Sequence, residues 1–506
     1  MIKSVVVLGG GSAGFLAAIS IKSKNPHLSV RILRSPDIGI IGVGEGTTIA
    51  FPRFLQGYLH VPLREFFQVA EPTFKLGIKF LWGPRREFYY TFAKEYEARL
   101  TGLSKPIGFY HDHDTQWIGA LSALMAHDKA FVRNADGTPN LSLPHGYHIE
   151  NEKLVGWLES HARKVGVEIG DANVAGVETG PVRTSGREEK GVTALVLADG
   201  QRVTADLFVD ASGFRSELLG KALGEAYQSF EKSLFCDRAV IGGWERTDEV
   251  VKPYTTVETM DHGWAWQIEH ADFINRGYVY SGAHVDDETA RQELLRKNPK
   301  IPAERTRVVR YRSGRRARTW IGNVVGVGNS VGFVEPLEAT SLGVIALECV
   351  MLADTLAETI GEPGPMIVDI FNKHNGKAWD DIRDFLAVHY AFNTRLDTPF
   401  WKDCREKTDL AGAAPMVEWF RENGPSTLVK GILMPESNSF GFEGYLAMFV
   451  GQKLQYPKER KPAAKEVELW RKYVAKFGEQ SRTALSVMDT LRAVHGPAWN
   501  VKAAAR

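Results

Sequence analysis

Three stretches of this chain have residue types and spacing suited to chemistry. The first is Gly9-Gly10-Gly11-Ser12-Ala13-Gly14, where Gly9, Gly11 and Gly14 form G-x-G-x-x-G. It stands between the apolar run Val5-Val6-Val7-Leu8 and helix-like spacing from Phe15 onward, the context of a dinucleotide fingerprint. The first glycine permits a tight turn, the second lets backbone approach a pyrophosphate, and the third lets helix pack on strand. The helix N-terminus then faces the phosphate charge. The second stretch is Pro72-Thr73-Phe74-Lys75-Leu76-Gly77-Ile78, an amine amid apolar residues. Taken alone, it favours an ordinary lysine whose stem crosses apolar surface to reach water. The third is Glu335-Pro336-Leu337-Glu338-Ala339-Thr340-Ser341 before an apolar helix. The free N–H groups of that helix start, near Thr340 and Ser341, make an anion site. Glu335 and Glu338 are either functional carboxylates or charges favoured by the helix dipole.

The elements that must position these residues follow from pattern. Residues 29–33 read as the next strand, but Arg34-Ser35 stands where an acid should take a ribose hydroxyl. Asp37 takes that hydroxyl, or the adenosine end is held differently. Arg34 invites an NADP preference, whereas other features favour a flavin. Residues 39–48 are glycine-rich and read as a backbone strap close to a ligand, with Gly42, Val43, Gly44 and Glu45 as cofactor contacts. Residues 51–82 look helical and 88–92 like an aromatic strand. An amphipathic helix is expected between Gly146 and Gly170. Residues 192–198 and 202–209 around Asp199-Gly200 suggest a hairpin. Its return, Phe208-Val209-Asp210-Ala211-Ser212-Gly213, is the strand end that many FAD enzymes show at the nucleotide domain. The β-rich stretch 235–312 carries Trp264 and Trp266 on one strand face. It also holds His262 and His270, which have no third ligand at metal spacing, so no metal is expected. Residues 320–330 form a strand and a glycine turn through Gly328. From about 365 the chain reads as helical.

Composition bounds the answer. The 506 residues exceed one ordinary core, and 44% hydrophobic with 24% charged residues fits a soluble globular protein. A net charge of +1 gives no bulk attraction to nucleic acid or membrane. Cys236, Cys349 and Cys404 fit a reduced cytoplasm. No signal peptide and no membrane-length run is evident. The expected fold is α/β. A discontinuous Rossmann-like FAD domain with β-rich substrate-side insertions spans 1–362, and a helical lobe over the substrate side spans 363–506.

In motif order and over most of its length, the chain resembles the flavin-dependent halogenases of the tryptophan-halogenase family. The resemblance rests on the glycine fingerprint, Gly42-Val43-Gly44-Glu45, Phe74-Lys75, Phe208 to Phe214, Trp264-Ala265-Trp266-Gln267-Ile268, and Phe333-Val334-Glu335-Pro336-Leu337-Glu338. The Trp-x-Trp-x-Ile element is the specific one, since related hydroxylases generally lack it. The resemblance implies an oxidoreductase that uses FADH2 from a separate NAD(P)H-dependent reductase, O2, and chloride or bromide. Hypohalous acid would form beside the flavin, with halide at Thr340 and Ser341, and cross an interior tunnel to Lys75 as catalytic lysine. Glu338 would polarise the oxidant or take the arenium proton. Trp264 and Trp266 would keep an aromatic substrate off the flavin. Gly9, Gly11, Ser12, Ala13, Gly14, Asp210 and Gly328 join the strap as cofactor contacts. A homodimer is compatible with the resemblance.

Several positions depart from the family pattern. Glu269 stands where proline is usual, Ala339 where serine is common, and Ser341 where glycine is common. Tyr90-Thr91-Phe92 replaces a histidine-containing stretch, leaving Phe92 as a stacking candidate and Tyr90 as the altered wall. The C-terminal elements that grip free tryptophan find no match. The expected substrate is therefore an indole or another electron-rich aromatic, with free tryptophan in doubt. A flavin monooxygenase and a non-catalytic flavin-binding sensor are the alternatives, and neither needs Lys75 with paired tryptophans.

Overall fold

The computed structural model describes residues 1–39, 44–113, 117–184, 186–435, 437–456 and 461–496. Gly42 and Val43 lie outside the described residues. The nucleotide-side sheet has six strands, built around Ser4–Leu8. Ser29–Arg34 and then Glu168–Asp171 pair parallel on one side of it. Leu207–Asp210 and Val324–Gly326 pair parallel on the other. The chain thus leaves the first strand toward both sheet edges, and the carboxyl end of Ser4–Leu8 is a switch point where α/β sheets bind ligands. The fingerprint helix, Ser12–Lys24, packs a run of buried residues from Gly14 to Ile21 beneath it.

A second sheet of seven strands supports the opposite end. Its centre is Gly263–Glu269 between Tyr254–Met260 and Phe273–Tyr280. Gly77–Leu81 and Phe88–Thr91 extend it. A three-stranded sheet of Glu45–Gly46, Gly146–Ile149 and Thr73–Lys75 bridges the strap to Lys75. The helix Pro365–Ala391 and the later helices share one buried cluster with the second sheet, including Trp264, Phe385, Tyr390, Trp401 and Tyr445.

Two expectations need correction. Residues 51–82 are not one helix: Leu63–Ala70 ends at Glu71 in a left-handed conformation, and Lys75 sits on a strand. The run Thr73 to Ile78 is buried on both faces, which hides the period-two signal that marks a half-exposed strand. The Asp199-Gly200 hairpin is short. Arg202–Val203 pairs with Arg187–Leu197, whose main partner is Val174–Thr184, and Leu207–Asp210 is a separate parallel strand.

The fingerprint glycines divide by their surroundings. Gly9 has φ +132°, and a Cβ there would stand 2.2 Å from the Ala211 carbonyl oxygen. A Cβ at Gly14 would stand 2.0 Å from the Gly9 oxygen, whereas one at Gly11 would meet nothing within 4 Å. Gly14→Ala is therefore expected to cost about 3 kcal/mol of stability. Gly11→Ala should cost less than about 1 kcal/mol. Denaturant unfolding of the cofactor-free variants checks both.

Candidate active site

The fingerprint turn leaves backbone donors open at a helix start. Gly11 caps the fingerprint helix without a side-chain bond, and the first turn, which includes Ser12 and Ala13, has no acid. Its N–H groups and the open space above Gly11 fit an anion drawn close to backbone. Gly328, at φ +68°, packs so near that a Cβ would stand 2.9 Å from the Ala13 Cβ. Its N–H donates to Glu348 Oε2 at 2.7 Å. Burial raises the Glu348 carboxyl to about 8.

Asp210 ends the strand beside Leu8. Its carboxylate accepts from the N–H groups of Ser212, Leu218 and Leu219, so it ties the returning turn together. Arg34 is engaged by Asp171 at 2.5 Å and Glu159 at 2.6 Å. Its charge is already balanced, which removes the support for an NADP 2′-phosphate. Asp37 accepts from Asn173 Nδ2 at 2.6 Å. The residues present fit FAD. Gly44 is packed so that a Cβ would stand 2.5 Å from Asn275 Nδ2 and 2.6 Å from His270 Nε2, which fixes the end of the strap.

The other end centres on Lys75. Its side chain is fully buried, and its Nζ has no hydrogen-bond partner among the described residues. The amine lies 5.6 Å from the centre of the Phe92 ring. A Cβ on Gly46 would stand 3.1 Å from Nζ, so glycine there keeps strap backbone against the amine. Burial lowers the Lys75 pKa to about 7, against an upward pull from the Glu338 charge. Tyr90 packs on Phe385 with ring centres 6.1 Å apart, and Phe385 stacks on Phe440 at 4.0 Å. These rings and Phe92 make an aromatic surround.

Glu338 ends the turn Pro336–Glu338 and is 3% exposed. His389 Nε2 lies 2.7 Å from its Oε1. Ala339 follows at φ +55°, a left-handed residue that sharpens the corner into the helix Ser341–Glu358. Glu335 is fully buried, and its Oε2 accepts from Tyr390 O–H at 2.6 Å and Trp264 Nε1–H at 3.0 Å. Burial raises its carboxyl to about 7. Trp266 stands beside Trp264 with ring centres 6.0 Å apart and presses its indole over Gly277, where a Cβ would stand 2.0 Å from the ring. Glu269, in place of proline, continues the strand to its end and pairs with Arg246 at 2.7 Å.

Thr340 is the N-cap of Ser341–Glu358, which has no side-chain cap and no acid in its own first turn. Its first N–H groups lack intrahelical partners and remain an anion site by geometry. Ser341 Oγ–H donates to Glu45 Oε2 at 3.0 Å, joining strap and helix start. Asn151 Nδ2 donates to the other Glu45 oxygen, and burial raises the Glu45 carboxyl. The structure therefore gathers Lys75, Glu338, Phe92 and Tyr90 at one end. It gathers the glycine fingerprint, Asp210 and Gly328 at the other, with Glu45, Thr340 and Ser341 on the connection. His389 and Tyr390 escape sequence reasoning. Their only local signal is two polar-tipped rings on a helix face that is otherwise buried.

A buried amine without a partner has a stability signature. An unfolded lysine protonates near ~10.4, and Lys75 in the fold near 7. Between those values the unfolded chain binds more protons, so stability rises with pH, and the full penalty applies below about 7. Lys75→Met is expected to raise unfolding free energy by up to about 4 kcal/mol near pH 6. That gain should shrink toward about pH 10. Unfolding curves of both proteins across that range check it.

Comparison with known proteins gives the family. The family model described as tryptophan halogenase matches residues 4–468. The chain is 30% identical to the tryptophan 6-halogenase ThaL of Streptomyces albogriseolus, over 98% of this chain and 99% of that protein. It is also 30% identical to the tryptophan 7-halogenase KtzQ of Kutzneria sp., over 84% and 83% respectively. Among solved structures, MibH, a lathipeptide tryptophan 5-halogenase, superposes with a TM-score of 0.86 at 36% identity, covering 99% of this chain and 95% of that one. BrvH, a flavin-dependent halogenase from Brevundimonas sp., does so with a TM-score of 0.84 at 27% identity, covering 98% and 100%. With the fingerprint, the buried lysine and the helix-start anion site on one chain, these likenesses show that it belongs to the tryptophan halogenase family and is a flavin-dependent halogenase.

Proposed function

We propose that this halogenase attaches chloride or bromide to an indole-type ring through hypohalous acid delivered to Lys75. The observation that carries the proposal is the buried, unpartnered Lys75 amine facing Phe92 across from Glu338. FAD, reduced by a separate NAD(P)H-dependent reductase, supplies the electrons with which O2 and halide become hypohalous acid. The residues of the chain do the rest. Gly9, Gly11, Ser12, Ala13, Gly14, Gly44, Glu45, Asp210 and Gly328 hold or shape the cofactor site. The N–H groups at Thr340 and Ser341 hold halide. Lys75 meets the oxidant in a dry cavity, either donating a hydrogen bond or carrying the halogen on its nitrogen. An amine titrating near 7 can do either. Phe92 and Tyr90 hold the substrate ring, Glu338 serves as the acid and base beside it, and Trp264 and Trp266 close the flavin side. The helical segment from 363 onward covers the substrate.

The substrate is an indole or another electron-rich aromatic, and free tryptophan is disfavoured. Glu443, a carboxylate on the helix Gly441–Gly451 near Phe440, is occupied by the N–H groups of Tyr96 and Glu97, both at 2.8 Å, and so does not greet an ammonium group. The preceding segment exposes Leu428, Ile432 and Leu433. A peptide tryptophan, the kind of substrate named for MibH, belongs in the test panel. The three cysteines are buried and free, which supports a cytoplasmic protein. No helix among the described residues is long and apolar enough to cross a membrane.

Mass spectrometry of reactions with reductase, NADH, FAD, O2 and either halide is the test. Indole, tryptophan and tryptophan-containing peptides are offered in parallel. A halogen isotope pattern on an indole is the expected result. A gain of one oxygen independent of halide overturns it in favour of a monooxygenase. Lys75→Ala should abolish halogenated product while oxygen consumption by reduced flavin persists, and Glu338→Gln should lower turnover by about 100-fold or more.

A further inference from the structure

Glu338 and Glu335 sit on one short turn, and two consecutive residues of the helix Pro365–Ala391 grip them. Tyr390 O–H donates to Glu335 Oε2, and His389 meets Glu338 Oε1. The second contact has a definite proton count. His389 Nδ1 lies 2.9 Å from the Phe385 carbonyl oxygen, which can only accept, so Nδ1 carries a hydrogen. The 2.7 Å contact between Nε2 and Oε1 then needs one more proton. It sits on Glu338, donated to a neutral imidazole, or on His389, donated to a carboxylate. In either form the pair holds one transferable proton. Both side chains are buried, at 0% and 2% exposure, so that proton has no ready exchange with bulk water. Lys75 and Tyr90 also feel the Glu338 charge.

We propose that His389 is the positioning residue of Glu338, fixing Oε1 and storing the proton that the halogenation step lends and recovers. This rests on the role given to Glu338 above. As the halogen moves to the ring carbon, the oxygen–halogen bond breaks and the departing hydroxide takes the pair's proton to become water. The pair is left as carboxylate and neutral imidazole. The ring C–H bond then breaks, its electrons restore aromaticity, and the proton returns to the carboxylate. The sum is aromatic C–H plus hypohalous acid giving aromatic C–halogen plus water, with the pair unchanged. The proton lent and recovered is the one on the Nε2–Oε1 contact, so both transfers pass through Oε1.

His389→Gln separates this role from mere packing. Glutamine can still donate to Oε1 but cannot store a proton. In the holoenzyme, with reductase and saturating halide, the variant is expected to lose about 100-fold in kcat. KM for the aromatic should hold within about threefold, a small change beside that loss, and FAD binding and oxygen consumption should be retained. A ring-deuterated substrate should show an isotope effect on kcat in the variant and none in the wild type, because C–H loss becomes limiting. Wild-type kcat in His389→Gln overturns the proposal, as does a loss of kcat without the isotope effect. If His389→Gln does not fold, His389→Asn is judged by the same two readouts. A wild type that yields no halogenated product would instead overturn the function proposed above, which keeps the two failures apart.

Discussion

The contact between Glu338 and His389 is the constraint on which the rest of this site depends. A buried lysine and a buried glutamate that feel each other's charge would ordinarily form an ion pair, because each charge is costly alone in a medium of low dielectric. Here Oε1 of Glu338 is already committed to an imidazole, and Lys75 Nζ is left without a partner. Desolvation then outweighs the pull of Glu338 and brings the amine to about 7. Were the histidine absent, the carboxylate would be free to turn to the lysine, and the amine would be held charged. The helix Pro365–Ala391 thus shapes the surroundings of Glu338 although its chain segment lies outside every motif.

That arrangement needs a rigid floor, which the second glutamate supplies. Glu335 is clasped by Trp264 and Tyr390, so the turn carrying Glu338 is anchored to the seven-stranded sheet and to the long helix at once. The same stretch continues through Ala339 into the uncapped start of Ser341–Glu358, and that helix reaches Gly328 through Glu348. Gly328 in turn touches Ala13 at the fingerprint helix. One continuous piece of chain therefore carries Gly328, Glu335, Glu338 and the start of Ser341–Glu358, and the buried carboxylates of Glu335, Glu338 and Glu348 tie it to its neighbours.

What was legible in the sequence is what chain neighbours encode. The fingerprint, the Asp210 strand end and the start of Ser341–Glu358 each arise within a dozen residues, and each stands where the pattern put it. The strand identity of Lys75 was not legible, because a run buried on both faces carries no periodicity to separate strand from helix. The pairing of His389 with Glu338 spans 51 positions, and that of Ser341 with Glu45 spans 296. A histidine or a serine has the same appearance in a sequence whether its partner is water or a buried carboxyl.

The paired tryptophans show how a motif's meaning changes once its hydrogen bonds are known. As bare rings, Trp264 and Trp266 suggest a wall, for which any large apolar residue of similar shape would serve. Trp264 is instead fully buried, with its N–H on Glu335, a bond phenylalanine cannot make. Trp266 presses on Gly277, where no side chain larger than hydrogen fits beneath the indole. The two rings thus differ in kind: Trp264 is a strut that acts through Glu335 on the turn bearing Glu338, and Trp266 is a shape-matched plate. Trp264 steadies the turn bearing Glu338 by way of Glu335, and Trp266 covers the backbone at Gly277.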